Sequence, residues 1–221
     1  MKFQGIREQV VAMSTMLADR GYFAATGGNL ALRADEEHIA VTPSAVDYYE
    51  MGPQDVCVLR LSDLAKVEGE RKPSVETGMH AQVLRARADC HASIHTHQPV
   101  ASACTLLGEA LPVLRAEHRA LLGNEVLAVS YAPSGTRWLS SKLLKTLRPD
   151  INAYLLRTHG AICCGTSAER ALQAIGALET LALDFLRERI AARAASSSSQ
   201  QTALLHLLAT LDAHPVRDMV L

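Results

Sequence analysis

The chain begins with a stretch in which apolar residues recur at helical spacing. These residues are Ile6, Val10, Val11, Met13 and Leu17. Because side chains three and four positions apart share one face of a helix, and because Gly21 follows, the pattern predicts an amphipathic helix over residues 5–20. A longer stripe runs from Ala171 to Phe185 after Ser167, a residue type that favours helix N-termini, and it predicts a helix to about residue 194.

Between these two helices, short apolar runs separated by turns predict β-strands. The predicted strands cover residues 30–33, 38–42, 56–59, 92–97, 126–129, 153–157 and 161–164. Helical patterns at residues 77–86, 99–107 and 136–147 are interspersed, but strands and helices do not alternate regularly. We therefore expect an α/β fold, a single domain with a central, mainly antiparallel sheet flanked by helices in three layers.

Length and composition agree with one domain. The chain has 221 residues, 48% of them hydrophobic, which suffices for one sizeable core. A polar break at residues 196–199 leads us to expect a domain over residues 1–195 and a C-terminal helix and tail over residues 196–221. The formal net charge of -1, with both signs interspersed, argues against a nucleic-acid surface.

The expected location is the cytoplasm. No apolar stretch approaches the roughly 20 residues needed to cross a bilayer, so no membrane contact is expected, and the N-terminus lacks the apolar region of a signal peptide. The five cysteines are an odd number and include the adjacent pair Cys163 and Cys164. This pattern predicts reduced, mostly buried thiols and no disulfide framework.

The segment His95-Thr96-His97 carries the most informative chemistry. Side chains two residues apart in a strand face the same side, so His95 and His97 can hold one metal ion together. Pro99 suits the first turn of a helix, which places the pair where a strand ends and a helix begins. His159 follows another predicted strand and offers a third imidazole.

Glu76 adds a carboxylate to this set. It precedes the predicted helix over residues 77–86, and we expect it in the first turn, where the helix dipole favours negative charge. Three neutral imidazoles and a carboxylate suit zinc or a similar divalent ion, and three protein ligands leave a position open for substrate oxygens. The sequence therefore predicts a catalytic metal site.

A second group of residues has the composition of a phosphate site. It consists of Gly28, Asn29, Thr42, Ser44 and Ser74. Glycine lets a ligand approach the backbone N–H groups closely, and the amide and hydroxyls add hydrogen-bond partners. The same residue types are common in ordinary turns, so their composition alone leaves both interpretations open.

The order of these motifs resembles the class II aldolase/adducin family of sugar-phosphate aldolases, epimerases and dehydratases. The motifs, within a resemblance from about residue 5 to about residue 190, are Thr26-Gly27-Gly28-Asn29-Leu30, Thr42-Pro43-Ser44, Lys72-Pro73-Ser74-Val75-Glu76-Thr77, His95-Thr96-His97 and Arg157-Thr158-His159-Gly160. The resemblance implies zinc held by the three histidines, with Glu76 as fourth ligand or acid/base. It also implies a sugar-phosphate substrate and a homotetramer with active sites between neighbouring subunits. The phosphate contacts it implies are Gly28, Asn29, Ser44 and Ser74.

The implied reaction is zinc-dependent cleavage of a ketose 1-phosphate of the fuculose or deoxypentulose type. The products would be dihydroxyacetone phosphate and an aldehyde, formed through a metal-stabilised enediolate. Two positions depart from the family pattern: Ala45 stands where Gly is frequent, and Val75 stands where aldolases often have a second Ser. The segment Lys72-Pro73-Ser74-Val75-Glu76-Thr77 also resembles the family's methylthioribulose-1-phosphate dehydratases, so such a dehydratase remains an alternative. A non-catalytic adducin-like binding module is a further one. The family's epimerases generally carry Asp at the position of Glu76, which disfavours epimerisation.

The implied reaction also needs a second proton-transfer group. Glu117 is a candidate because the family's dehydratases place an acid in this part of the chain. Tyr131 is the other candidate, because it lies in a loop after a predicted strand. For each residue, a role in solvation or surface packing remains an equal alternative.

Overall fold

The computed structural model describes residues 2–23 and 27–213. Thr26 of the glycine-rich motif and residues 214–221 of the predicted tail lie outside the described residues. The described helices are α1 (Gln4–Asp19), α2 (Thr77–Ala86), α3 (Pro99–Cys104), α4 (Ala116–Leu122), α5 (Arg137–Thr146), α6 (Ala168–Ser196) and α7 (Gln201–Asp212). The described strands are β1 (Asn29–Arg33), β2 (His38–Val41), β3 (Cys57–Arg60), β4 (Lys66–Glu68), β5 (Ala92–Thr96), β6 (Leu111–Pro112), β7 (Glu125–Val129), β8 (Ala153–Leu156) and β9 (Gly160–Gly165).

All of these strands join one sheet in the order β4-β3-β2-β1-β5-β9-β8-β7-β6. Every neighbouring pair is antiparallel except β7 and β8, which are parallel. Local turn chemistry supports the hairpins: between β1 and β2, the Asp35 carboxylate accepts hydrogen bonds from the backbone N–H groups of Glu37 and His38. The expected mainly antiparallel sheet is confirmed.

Helices cover both faces of the sheet, because alternate strand side chains feed two separate cores. Leu30 and Leu32 of β1 pack into the core shared with α1, α3, α4 and α6, whereas Ala31 packs into the core shared with α2 and α5. On the neighbouring strand β5, Ile94 belongs to the first core, so His95 points to the α2 and α5 side. His95 therefore lies on the side of the sheet that α2 covers.

Three short elements were not predicted from the sequence. Strand β4 lies at one edge of the sheet and is mostly exposed, and β6 is a two-residue pairing at the other edge. Helix α4 has seven residues, of which His118 and Leu122 are buried. Elements this short carry too few apolar residues to show a period. One predicted detail is wrong: Glu76 is the N-cap residue of α2, one position before its first turn.

Helix α6 forms hydrogen bonds with residues 98–101, the segment that directly follows His97. The buried carboxylate of Glu179 accepts hydrogen bonds from the backbone N–H groups of Val100 (2.8 Å) and Ala101 (2.9 Å) in the first turn of α3. The Gln98 amide donates to the carbonyl oxygen of Ile175, also on α6. The two bonds to Glu179 satisfy N–H groups that the start of a helix leaves unpaired, and all three bonds fix the path of the chain beyond β5.

Two further predictions concern the chain as a whole. All five cysteines are buried and none forms a disulfide, which confirms the prediction of buried free thiols. Within residues 2–23 and 27–213, the structure contains no helix that combines the length and the apolar character needed to cross a membrane.

Ala45, which stands where the resembling family often has Gly, adopts a left-handed backbone conformation with φ +54°. This conformation costs a non-glycine residue about 1–2 kcal/mol, and the greater freedom of glycine in the unfolded chain offsets part of any gain. We expect Ala45→Gly to raise the free energy of unfolding by up to about 1 kcal/mol, measured by urea denaturation. As a control, Ala192→Gly on the exposed side of α6 should lower it by about 0.5–1 kcal/mol. A destabilised Ala45→Gly protein would contradict the argument.

Candidate metal centre

The three histidines singled out from the sequence meet at one point. Pairing of β5 with β9 aligns Thr96 with Ala161, which places the turn before β9 beside the end of β5. His95 lies in β5, His97 directly follows it, and His159 lies in the turn between β8 and β9. One ring nitrogen from each of the three lies within 4.8 Å of the others. The predicted convergence of imidazoles is present in the structure.

Hydrogen bonding orients His95 for metal binding. Its Nδ1 lies 2.8 Å from the carbonyl oxygen of Ala161. A carbonyl oxygen only accepts, so Nδ1 carries the proton and Nε2 presents a lone pair. That Nε2 lies 3.0 Å from Nε2 of His97. Burial lowers the pKa of both His95 and His97, which keeps the imidazoles in the neutral form that metal ions require.

The Glu76 carboxylate closes the ring of donor atoms. Its Oε2 lies 3.2 Å from His95 Nε2, and its Oε1 lies 3.4 Å from His159 Nε2. Asn29 Nδ2 donates to Oε2 (2.8 Å) and Ser134 Oγ donates to Oε1 (2.7 Å). Burial alone would raise the pKa of Glu76, but the hydrogen bonds from Asn29 and Ser134 stabilise the charged form and hold the pKa below its usual range. Glu76 is therefore an ionised carboxylate inside the protein.

This donor set fits a divalent metal ion. Atoms about 2.1 Å from a tetrahedral zinc ion lie about 3.4 Å from one another. The separations of His95 from His97 (3.0 Å) and of Glu76 from His95 (3.2 Å) and His159 (3.4 Å) are close to this value. Lone pairs on His95 and Glu76 face one another, an arrangement that a buried site tolerates when a cation lies between them. His95, His97, His159 and Glu76 are thus the residues that would hold the ion.

Comparison with known proteins agrees with this geometry. The family model described as Class II Aldolase and Adducin N-terminal domain matches residues 8–185. The chain belongs to this class II aldolase and adducin family. It is 37% identical over 163 residues to 5-deoxy-D-ribulose 1-phosphate aldolase of Bacillus thuringiensis, covering 73% of this chain and 75% of that protein.

Two further relatives are also aldolases of this family. The chain is 29% identical over 182 residues to 5-methylthioribulose-1-phosphate/5-deoxyribulose-1-phosphate aldolase of Rhodospirillum rubrum, with 82% of this chain and 80% of that protein covered. A solved structure of L-fuculose 1-phosphate aldolase matches with a TM-score of 0.76 and 27% identity, over 84% of this chain and 86% of that one. The chain is therefore an enzyme of the class II aldolase type, a metal-dependent class of lyases.

In this class II aldolase, the segments predicted to bind phosphate lie side by side. A backbone bridge between Pro43 and Pro73 joins the turns that carry Ser44 and Ser74. Gly28 has φ +96°, and a side chain at this position would overlap the ring of Phe23. Ser74 Oγ accepts a hydrogen bond from the backbone N–H of Glu76, whereas the half-buried Ser44 hydroxyl has no hydrogen-bond partner among the described residues.

Two more of the predicted phosphate contacts of the aldolase, Thr42 and Asn29, also have partners within the protein. Thr42 is buried, and its hydroxyl oxygen accepts a hydrogen bond from the backbone N–H of Leu30 at 3.2 Å. The Asn29 amide lies between Glu76 and His80, so one of its N–H groups remains for another acceptor. Thr42 therefore joins β1 to the end of β2, and Asn29 faces the metal centre.

The aldolase places its two candidate proton-transfer residues in different surroundings. Tyr131 is 54% exposed and lies in the loop between β7 and α5, the same loop that brings Ser134 to Glu76. Glu117 lies on the exposed side of α4, and no contact among the described residues links it to Glu76 or to the histidines. Within one chain, Tyr131 is therefore the candidate whose loop reaches the centre, because Ser134 in the same loop bonds Glu76.

Sequence reasoning missed Ser134 as part of this aldolase site. In the sequence, the segment Pro133-Ser134-Gly135 only precedes the helix predicted over residues 136–147. Its position just after a predicted strand, beside Tyr131, was the available signal, since functional side chains gather in loops at strand ends.

Proposed function

We propose that this chain is a zinc-dependent class II aldolase that cleaves a 5-deoxypentulose or related ketose 1-phosphate to dihydroxyacetone phosphate and an aldehyde. The observation that carries the proposal is the convergence of three imidazole nitrogens, two of which lie within 3.4 Å of the buried Glu76 carboxylate. The 37% identity to a 5-deoxy-D-ribulose 1-phosphate aldolase favours a deoxypentulose substrate ahead of fuculose 1-phosphate. The proteins compared are named aldolases, which favours bond cleavage over dehydration.

The residues of the centre divide the work of the reaction between them. A bound divalent ion supplies a Lewis acid that polarises a carbonyl group and stabilises the negative charge that develops beside it. His95, His97 and His159 hold that ion in the proposed site. Cleavage removes a proton from the hydroxyl that becomes the aldehyde and delivers a proton to the carbon that separates. Glu76 is the proposed carrier for one of these protons, because its carboxylate lies against the ligand nitrogens.

The second proton-transfer group is proposed to be Tyr131. The hydrogen bond from Ser134 to Glu76 holds the loop that also carries Tyr131 beside the centre, which supports this choice. Glu117 is the alternative candidate and is proposed to act from a neighbouring subunit, because no contact among the described residues of its own chain leads to Glu76.

The proposed phosphate site is formed by Gly28, Ser44 and Ser74 with the free N–H of Asn29. The Ser44 hydroxyl supports this assignment because it is half-buried and has no partner among the described residues. Thr42 supports the site from behind through its bond to Leu30.

The proposed assembly is a homotetramer with the sites between neighbouring subunits. Exposed apolar side chains around the site support an interface there: Val75 and Trp138 are 69% and 58% exposed. The buried, unpaired cysteines support a cytoplasmic site of action.

The test is a substrate screen combined with metal analysis. Purified protein should contain stoichiometric zinc or regain activity when zinc is added after chelation. With 5-deoxyribulose 1-phosphate, 5-methylthioribulose 1-phosphate and fuculose 1-phosphate, released dihydroxyacetone phosphate is measured separately from dehydrated product. We expect cleavage that a chelator abolishes and that His95→Ala lacks. Dehydration without cleavage would favour the dehydratase alternative, and neither reaction across the panel would overturn the proposal.

A further inference from the structure

A chain of buried polar side chains leads from Glu76 away from the metal centre. Asn29 Nδ2 donates to Glu76 Oε2 at 2.8 Å, and Asn29 Oδ1 lies 2.6 Å from Nε2 of His80. On its other side, His80 Nδ1 lies 2.8 Å from the hydroxyl of Ser93. All four side chains are buried, and the His80 ring is fully enclosed. This series of hydrogen-bonded side chains therefore links the Glu76 carboxylate to the interior of the sheet by direct contacts.

The fold explains why these four residues meet. His80 follows Glu76 by four positions, which is about one helical turn, so both side chains project from the same side of α2. Beneath α2, the pairing of β1 with β5 sets Asn29 opposite His95. Ser93 is two residues before His95 and faces the same side of the sheet. The series of hydrogen-bonded side chains forms because α2 packs across β1 and β5.

The chemistry of the groups fixes the direction of every hydrogen bond. A carboxylate ligand only accepts, so the amide nitrogen of Asn29 must face Glu76 and the amide oxygen must face His80. An amide oxygen also only accepts, so His80 Nε2 carries the proton and donates it. In the neutral imidazole Nδ1 then accepts, and Ser93 is its donor. Burial lowers the pKa of His80 to about 4, in keeping with a neutral ring.

We propose that His80 is a positioning residue: its Nε2–H fixes the Asn29 amide so that an N–H group faces Glu76 and holds the carboxylate against the histidines. This inference rests on the proposed function, in which Glu76 serves a metal ion. Without the His80 donor, the Asn29 amide can rotate by half a turn and present its oxygen to the carboxylate. Two acceptors would then face each other inside the protein, and Glu76 would be displaced.

His118, another buried histidine, shows that a histidine can be packed in this protein without a hydrogen-bond partner for each ring nitrogen. His118 is also buried, yet its Nδ1 has no hydrogen-bond partner among the described residues. Both ring nitrogens of His80, by contrast, are within 2.8 Å of a polar atom. The contacts of His80 are therefore directional and lead to a side chain of the centre.

The test compares His80→Gln with His80→Asn, two amides that differ by one methylene group. The Gln amide nitrogen reaches the place of Nε2 and can donate to Asn29, whereas the Asn amide reaches only the place of Nδ1 beside Ser93. Each variant is titrated with Co²⁺ and Zn²⁺, and the cobalt absorption spectrum, the affinity against a competing chelator and the unfolding of the metal-free protein are measured. We expect His80→Asn to lose about 10–100-fold in metal affinity and to change the cobalt spectrum. We expect His80→Gln to stay within a few-fold of the wild type.

The outcomes separate this inference from the proposed function. Wild-type protein that takes up no metal ion overturns both. If the wild type binds metal normally and His80→Asn keeps the wild-type cobalt spectrum and metal affinity, the His80 inference alone is overturned. An equal loss of metal affinity in His80→Gln and His80→Asn overturns it as well. If metal-free His80→Asn does not fold, Asn29→Ala replaces it, because that change deletes the same contact from the other side. A normal cobalt spectrum in Asn29→Ala would then overturn the inference.

Discussion

Replacing Glu76 with Gln is expected to lower kcat for ketose 1-phosphate cleavage by about 10²–10⁴-fold, the range that general acid–base catalysis contributes. The variant should remain folded, because a glutamine keeps the shape and both hydrogen bonds of the side chain. Its amide oxygen can accept from Asn29, and its amide nitrogen can donate to the Ser134 hydroxyl. What the variant lacks is the negative charge and the ability to carry a proton.

The measurement is kcat and KM at saturating zinc, with the bound metal quantified in the same samples so that loss of metal and loss of chemistry are separated. Ser134→Ala is the matched control, since it removes one hydrogen bond from Glu76 and leaves the carboxylate in place. We expect that control to retain far more activity than Glu76→Gln. A fully metal-loaded Glu76→Gln enzyme that keeps more than about a tenth of the wild-type kcat would exclude Glu76 as the proton carrier.

Gly160→Ala is expected to weaken metal binding and to lower activity by about 100-fold or more, the effect of a displacement of about 1 Å at a catalytic group. Gly160 begins β9 and lies against the end of β5. A Cβ atom there would overlap the carbonyl oxygen of Thr96 and lie 2.7 Å from His97 Cδ2 and 3.1 Å from His95 Cε1. Because a backbone carbonyl cannot yield without moving its strand, two metal-ligand candidates would shift together.

Gly165→Ala at the opposite end of the same strand is the control. Its Cβ would lie 2.5 Å from the backbone nitrogen of Ala171, so it should destabilise the fold by a similar amount, about 1–3 kcal/mol. None of the close contacts at Gly165 involves a histidine, so we expect metal affinity near that of the wild type. Metal affinity that falls equally in both variants would show that general destabilisation, and not displacement of the ligands, is responsible.

The sequence indicated the metal centre because its ligands carry local signals. The strand period brings His95 and His97 to one side, and His159 occupies the end of a recognisable strand. Ser134 and the partnership of His80 with Asn29 had no such signal. They depend on how α2 and the loop before α5 pack across β1 and β5, and this is decided by contacts between residues far apart in the chain.

The same distinction holds for the fold. Strands with several buried residues, such as β5 and β9, were predicted within one or two residues of their bounds. The strand order and the one parallel pair among the described strands, β7 with β8, depend on which strands pair with each other. The hydrophobic period within one segment carries no information about its pairing partner. The short edge strands β4 and β6 form because they pair with β3 and β7, and their own sequences are too short to show a hydrophobic pattern.

The two kinds of support at the centre differ in how they respond to change of sequence. His95 is aligned by the carbonyl oxygen of Ala161, a group that every amino acid brings to that position. Glu76 is aligned by the side chains of Asn29 and Ser134, each of which one substitution removes. A single substitution, by natural drift or laboratory selection, can therefore change the position of the Glu76 carboxylate while the His95 ring keeps its orientation.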